Sequence, residues 1–140
     1  MLSDVVVLLG GPESMGRVGS MADLAEVARK GLPKKSILSL MYIMHLKPQE
    51  MADFLNVTLR NLQRYKDEDL LSSTVSDHVI QLALLFELGR SVMGSEEFIE
   101  WLSEPCAALE SRRPGEMLKT TTGINTVKNE LYRIEHAVFA

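Results

Sequence analysis

Along this chain apolar side chains recur at intervals of three and four far more than at intervals of two, the signature of helices packed on one side. The exception is Val5-Val6-Val7-Leu8-Leu9, a continuous apolar run that fits a strand or a buried helix equally. Glycines at 10, 11, 16 and 19 then punctuate the chain as turn residues. Ser20-Met21-Ala22-Asp23 predicts a helix start, with Ser20 capping free N–H groups and Asp23 placed at the positive end of the helix dipole. Leu24, Val27 and Ala28 give that helix its apolar stripe, and Gly31 its stop. Pro33 suits the start of the next, where Ile37, Leu38, Met41, Met44 and His45 recur at helical spacing. After Lys47-Pro48, Met51, Ala52 and Leu55 share a face; Asn56-Val57 interrupts; Leu59, Leu62 and Tyr65 line the following piece.

Thr74, with Asp77 three residues on, opens the longest predicted helix, whose Val75, Val79, Leu82, Phe86 and Met93 repeat up to Gly94. Glu96 to Ser103 predicts a short amphipathic helix with Phe98 and Trp101 in the core, ended by Glu104-Pro105. A loop from Leu109 to Pro114 leads to a helix with Met117 and Leu118. Gly123 separates it from a last helix striped by Val127, Leu131, Ile134 and Val138. The expected fold is all-α, divided into an N-terminal extension at 1–30, a helix-turn-helix at 31–70 and a helical C-terminal domain at 71–140.

Charge sharpens this division. Residues 1–28 balance to −3, 29–70 to +3 and 71–140 to −4, within a net charge of −4 over 140 residues. A basic middle between acidic flanks points to one segment that meets a polyanion and others that do not. The single cysteine, Cys106, excludes an intramolecular disulfide and points to a reducing, cytoplasmic compartment, where a buried small hydrophobe is its default role. No run approaches the ~20 apolar residues of a membrane span.

The segment from Pro48 to Tyr65 holds the most informative local pattern. A helix-turn-helix needs a small residue where its helices cross, and Ala52 supplies one. It needs a residue tolerant of positive φ in the turn, and Asn56 is the common substitute for glycine. Val57 and Leu62 would pin the second helix, leaving Thr58, Arg60, Asn61, Gln63 and Arg64 toward solvent, with Lys66 just beyond. Arg suits guanine, Asn and Gln suit adenine, and Lys suits phosphate, so these side chains form a set for reading the major groove. A plain helical hairpin with a solvated polar face gives the same spacing.

Enzyme chemistry finds little support. Ser76, Asp77 and His78 are triad residue types, but consecutive helix positions diverge, and Asp77 reads as a first-turn acid. His45, His78 and His136 lack the i, i+4 pairing of a zinc site. The early glycines lack the Gly-Lys-Ser/Thr ending of a phosphate loop. No catalytic residue, metal or cofactor is expected.

A series of motifs in fixed order then carries a resemblance over about residues 5 to 140: Gly31-Leu32-Pro33; Thr58-Leu59-Arg60-Asn61-Leu62-Gln63-Arg64; Ser76-Asp77-His78; Trp101-Leu102-Ser103-Glu104-Pro105; Pro114-Gly115-Glu116-Met117-Leu118-Lys119-Thr120; Gly123; and Leu131-Tyr132-Arg133-Ile134-Glu135-His136. The chain resembles the Xre/MbcA/ParS antitoxins, in particular the RES–Xre branch, where an Xre-like helix-turn-helix precedes a C-terminal toxin-binding domain. The resemblance implies a homodimeric antitoxin within a larger complex, which blocks a RES-domain, NAD-degrading toxin and represses its own operon by binding operator DNA. It implies a DNA-reading helix from Thr58 to Lys66, and a toxin-facing surface including Lys119, Thr120, Arg133, Glu135, His136 and Ala140. It makes 71–140 the toxin-binding and dimerisation domain. The chain departs from the family in three places. Glu110-Ser111 replaces a glycine pair, so that positions requiring positive φ would force the loop to differ locally; Ala137 replaces a glycine; and Asn61 stands where threonine is usual. The alternative is a dimeric transcription regulator not paired with a toxin.

Overall fold

The computed structural model describes residues 2–139, with side chains as far as Ala137. Among the described residues the secondary structure is helical throughout, with two isolated β-bridges, Pro33 with Leu70 and Cys106 with Arg112. The ambiguous run is helix α1 (Leu2–Leu8), which buries Val5, Val6 and Leu8. Helix α2 (Pro12–Met15) is one turn long. Helix α3 (Met21–Lys30) begins as the sequence indicates: the Ser20 hydroxyl accepts from Asp23 N at 3.1 Å, while Asp23 Oδ2 accepts from Gly19 N at 2.8 Å. Such caps are worth about 1 kcal/mol each.

Helix α4 (Lys34–Met44) departs from its expected stripe: Ile37, Leu40 and Met44 are buried, whereas Leu38 is exposed and His45 is the exposed, left-handed cap at φ 56°. Helices α5 (Pro48–Leu55) and α6 (Leu59–Arg64) follow, joined by a tight turn.

Helix α7 (Ser73–Met93) is the axis of the molecule, packing against α1, α3, α4, α5, α8 (Ser95–Leu102) and α9 (Thr121–Phe139). It is buried on most sides, from Val79 and Ile80 through Leu82–Phe86 to Leu88 and Gly89, which explains why its apolar stripe is wide rather than sharp. Its cap is Ser72, whose hydroxyl accepts from Val75 N, rather than Thr74; Asp77 therefore lies beyond the first turn. The segment expected as a helix around Met117 and Leu118 is a 3-10 turn, Pro114–Met117, preceded by another at Ala107–Leu109.

Gly123 lies inside the first turn of α9 instead of separating two helices. A Cβ there would stand 1.7 Å from the Met117 carbonyl oxygen, so glycine lets the helix start run against the 3-10 backbone. Along α9 Ile124, Val127 and Leu131 are fully buried against the core and Ile134 is half-buried; the side chain of Val138 lies outside the described residues.

Candidate functional site

The α5–α6 unit has the geometry its sequence implies. Ala52 is fully buried where the helices approach, and Asn56 adopts the left-handed conformation (φ 55°, ψ 43°), its N–H reaching back to the last turn of α5. Leu62 is buried and Val57 half-buried, anchoring α6 from below. Thr58 caps α6 by accepting from Asn61 N at 3.0 Å. Thr58, Arg60, Asn61, Gln63, Arg64 and Lys66 are all exposed, forming one continuous polar surface; Arg64 donates to the Asn61 amide oxygen at 3.2 Å. The helix ends at Arg64, so Lys66 stands in the loop after it.

That loop is tied down by residues the sequence reading passed over. Lys34 is buried, and its Nζ donates to the Tyr65 carbonyl at 3.1 Å, at the C-terminal end of α6. Two backbone N–H groups of α4, those of Lys34 and Lys35, donate to Asp69 O and Asp67 O, and Lys35 pairs with Glu68 at 3.0 Å. Two lysines at a helix N-terminus oppose the dipole, and that mismatch was the available signal that they serve another element. Ser76 also holds this region: its buried hydroxyl accepts from Leu32 N at 2.8 Å and donates to Leu71 O at 3.4 Å. His78 donates from Nε2 to the Leu118 carbonyl at 2.8 Å, while Asp77 faces solvent. The three triad residue types thus face different surroundings, Ser76 and His78 bonded to backbone and Asp77 turned to solvent.

The expected toxin-facing residues do not form one cluster. Thr120 is the N-cap of α9, accepting from Gly123 N at 3.0 Å, and Lys119 precedes it. Arg133 lies thirteen residues along the helix, roughly 20 Å away at 1.5 Å per residue. Its guanidinium grips the buried Glu130 carboxylate, with Nε to Oε2 at 2.9 Å, and this hydrogen bond first, then the charge of Glu130, holds the arginine more firmly protonated than usual. Glu135 is half-buried beside Asp4, Glu87 and Tyr132 in a cleft of about 350 Å³, and His136 is exposed. Ala140 lies outside the described residues.

Other concave surfaces surround the centre. The cleft between α5 and α8, of about 430 Å³, has an apolar floor of Leu46, Phe54, Ile99 and Leu102, with Lys119 at its edge. A second, of about 460 Å³, lies between the starts of α7 and α9, near Ser73, His78 and Thr120. A groove of about 480 Å³ runs between the end of α7, α8 and the late turns of α9. Among the described residues no group of His, Cys, Asp and Glu is assembled to hold a metal ion, and no helix is long and apolar enough to cross a membrane.

A helix-turn-helix with an exposed polar second helix, followed by a helical domain with concave surfaces, defines a two-part binding protein. The antitoxin Xre-like helix-turn-helix domain matches residues 23–84, and the antitoxin Xre/MbcA/ParS C-terminal toxin-binding domain matches residues 87–137. The chain belongs to the Xre/MbcA/ParS antitoxin family, and it is an antitoxin of a toxin–antitoxin system. No curated protein matches it in sequence. Four chains of solved structures match in fold. One belongs to the crystal structure of the M. tuberculosis MbcT–MbcA toxin–antitoxin complex, with 17% identity and a TM-score of 0.56, covering 88% of this chain and 100% of that one.

Proposed function

We propose that this antitoxin binds and blocks a RES-domain, NAD-degrading toxin in the cytoplasm, and that as a homodimer within the complex it represses its own operon through α5–α6. The observation that carries the reading is the presence in one chain of a toxin-binding domain at 87–137 and a helix-turn-helix whose six exposed polar side chains follow a left-handed Asn56 turn. In this reading residues 31–70 read DNA with Thr58, Arg60, Asn61, Gln63, Arg64 and Lys66, residues 71–140 hold the toxin and the dimer partner, and 1–30 is an extension. The likeness in fold to a chain of the MbcT–MbcA complex fits a toxin partner. Lys119, Thr120, Arg133, Glu135 and His136 remain candidate contacts, spread from just before α9 to its late turns, and Ala140, outside the described residues, remains one as well.

Co-expression with the product of the neighbouring gene tests this, scoring growth, NAD content and co-purification. Rescue of growth with NAD restored supports it; a neighbour that neither harms cells nor co-purifies defeats it. Deleting the chain from Gly123 onward is a poor control, because Ile124, Val127 and Leu131 belong to the core. Substitution of the exposed Lys119 and His136 leaves that core intact and is the better probe.

A further inference from the structure

Resting on the antitoxin reading, we propose that the groove between α7, α8 and α9 docks a segment of the toxin that carries an apolar anchor flanked by Lys or Arg. Its floor is Val92, Met93, Trp101 and Ile134, all half-buried, and its rim is Glu97, Glu100 and Glu104, all exposed. Trp101 stacks on Phe98 with ring centroids 6.1 Å apart, which holds the indole in place as part of a preformed floor.

The rim is unneutralised within the described residues. Elsewhere in 71–140, Arg90 pairs with Glu87, Arg112 with Glu110, Arg113 with Glu116 and Arg133 with Glu130, so every arginine of this half is committed to another carboxylate. Glu97 and Glu100 stand three residues apart on α8, with Glu104 just past its end. Like charges at that spacing do not help the free helix. Opposite a cationic partner they become attractive, speeding encounter and excluding wrong partners. The position of the groove selects the occupant: all seven lining residues fall inside the matched toxin-binding domain at 87–137, whereas the other clefts described above draw residues from outside it.

Trp101 is the sole tryptophan, so 5-fluorotryptophan incorporated into the full-length chain gives a single fluorine signal that reports on the groove floor. Titration with purified, unlabelled toxin is expected to shift that signal. Reversing the rim (Glu97→Lys, Glu100→Lys and Glu104→Lys together) is expected to weaken binding by about tenfold or more, with unchanged far-UV circular dichroism. Wild-type affinity in the triple variant, or a complex that forms without moving the signal, overturns the proposal. Loss of self-association in the triple variant with toxin binding intact overturns it in favour of a second copy of this chain. If the wild-type chain forms no complex with any toxin, the antitoxin–toxin pairing itself fails, and the groove proposal with it.

Discussion

The ring of Phe98 lies directly on the backbone of Gly89, where a Cβ would fall 2.3 Å from two ring carbons. Glycine inside a helix costs about 1 kcal/mol relative to alanine, and here that cost lets α8 seat against α7. Phe98 also meets Phe86 edge-on at 5.8 Å, and Phe86 meets Phe54 of α5 at 5.9 Å, so a line of rings runs from the helix-turn-helix to the groove.

Gly89→Ala sets these effects against each other. The helix gains about 1 kcal/mol, but the added methyl overlaps a ring already packed on its other side, and overpacking costs about 1–3 kcal/mol. The ring is fully buried and has no free end to swing away, so net destabilisation is expected. Urea unfolding should show a lower midpoint; a raised one would mean α8 repacks freely.

Ser76→Ala removes the hydroxyl that accepts from the buried N–H of Leu32. An orphaned buried donor costs about 1–3 kcal/mol, a loss visible as a lower unfolding midpoint. Operator binding should weaken only in proportion to unfolding, since Ser76 is not at the polar face of α6.

Glu110 and Ser111 both hold positive φ, 58° and 63°. The two positions thus carry side chains in the left-handed region that glycine adopts most readily. The left-handed region costs an L-residue about 1–2 kcal/mol, partly offset in any glycine replacement by the entropy of the unfolded chain. Glu110→Gly and Ser111→Gly are each expected to raise stability by about 0.5–1 kcal/mol by thermal or urea unfolding, and a loss at both would show the side chains to be stabilising.

Arg60→Ala and Arg64→Ala should each weaken operator binding while leaving the unfolding midpoint within about 0.5 kcal/mol, the usual range for exposed sites. If an arginine neutralises a phosphate, its loss also reduces the salt dependence of binding by about one unit of log–log slope. A residue reading a base instead relaxes sequence preference with that slope unchanged. Band-shift titrations at several salt concentrations separate the two. Unaltered affinity in both variants would remove α6 from the DNA interface.

Most of the helix order was legible because local rules decide it: Ser20 caps α3, Gly31 ends it, and Asn56 turns α5 into α6 whatever lies around them. The polar face of α6 was legible for the same reason, since Leu62 fixes which side is buried. The apolar run Val5–Leu9 could not be assigned from the sequence, because a segment buried on several sides shows no period. Lys34 and Ser76 were passed over as structural groups, for their partners at Tyr65 and Leu32 follow from how the helices pack, whereas Glu130 and Arg133 stand three residues apart on α9 and were open to a helical-spacing argument. The sequence by itself determined an all-α chain with a helix-turn-helix and the family motifs, because caps, turns and apolar spacing act within a few residues. Only the tertiary structure decided that Trp101 and Ile134 share a groove, because that relationship depends on how α7, α8 and α9 bury their apolar faces against one another.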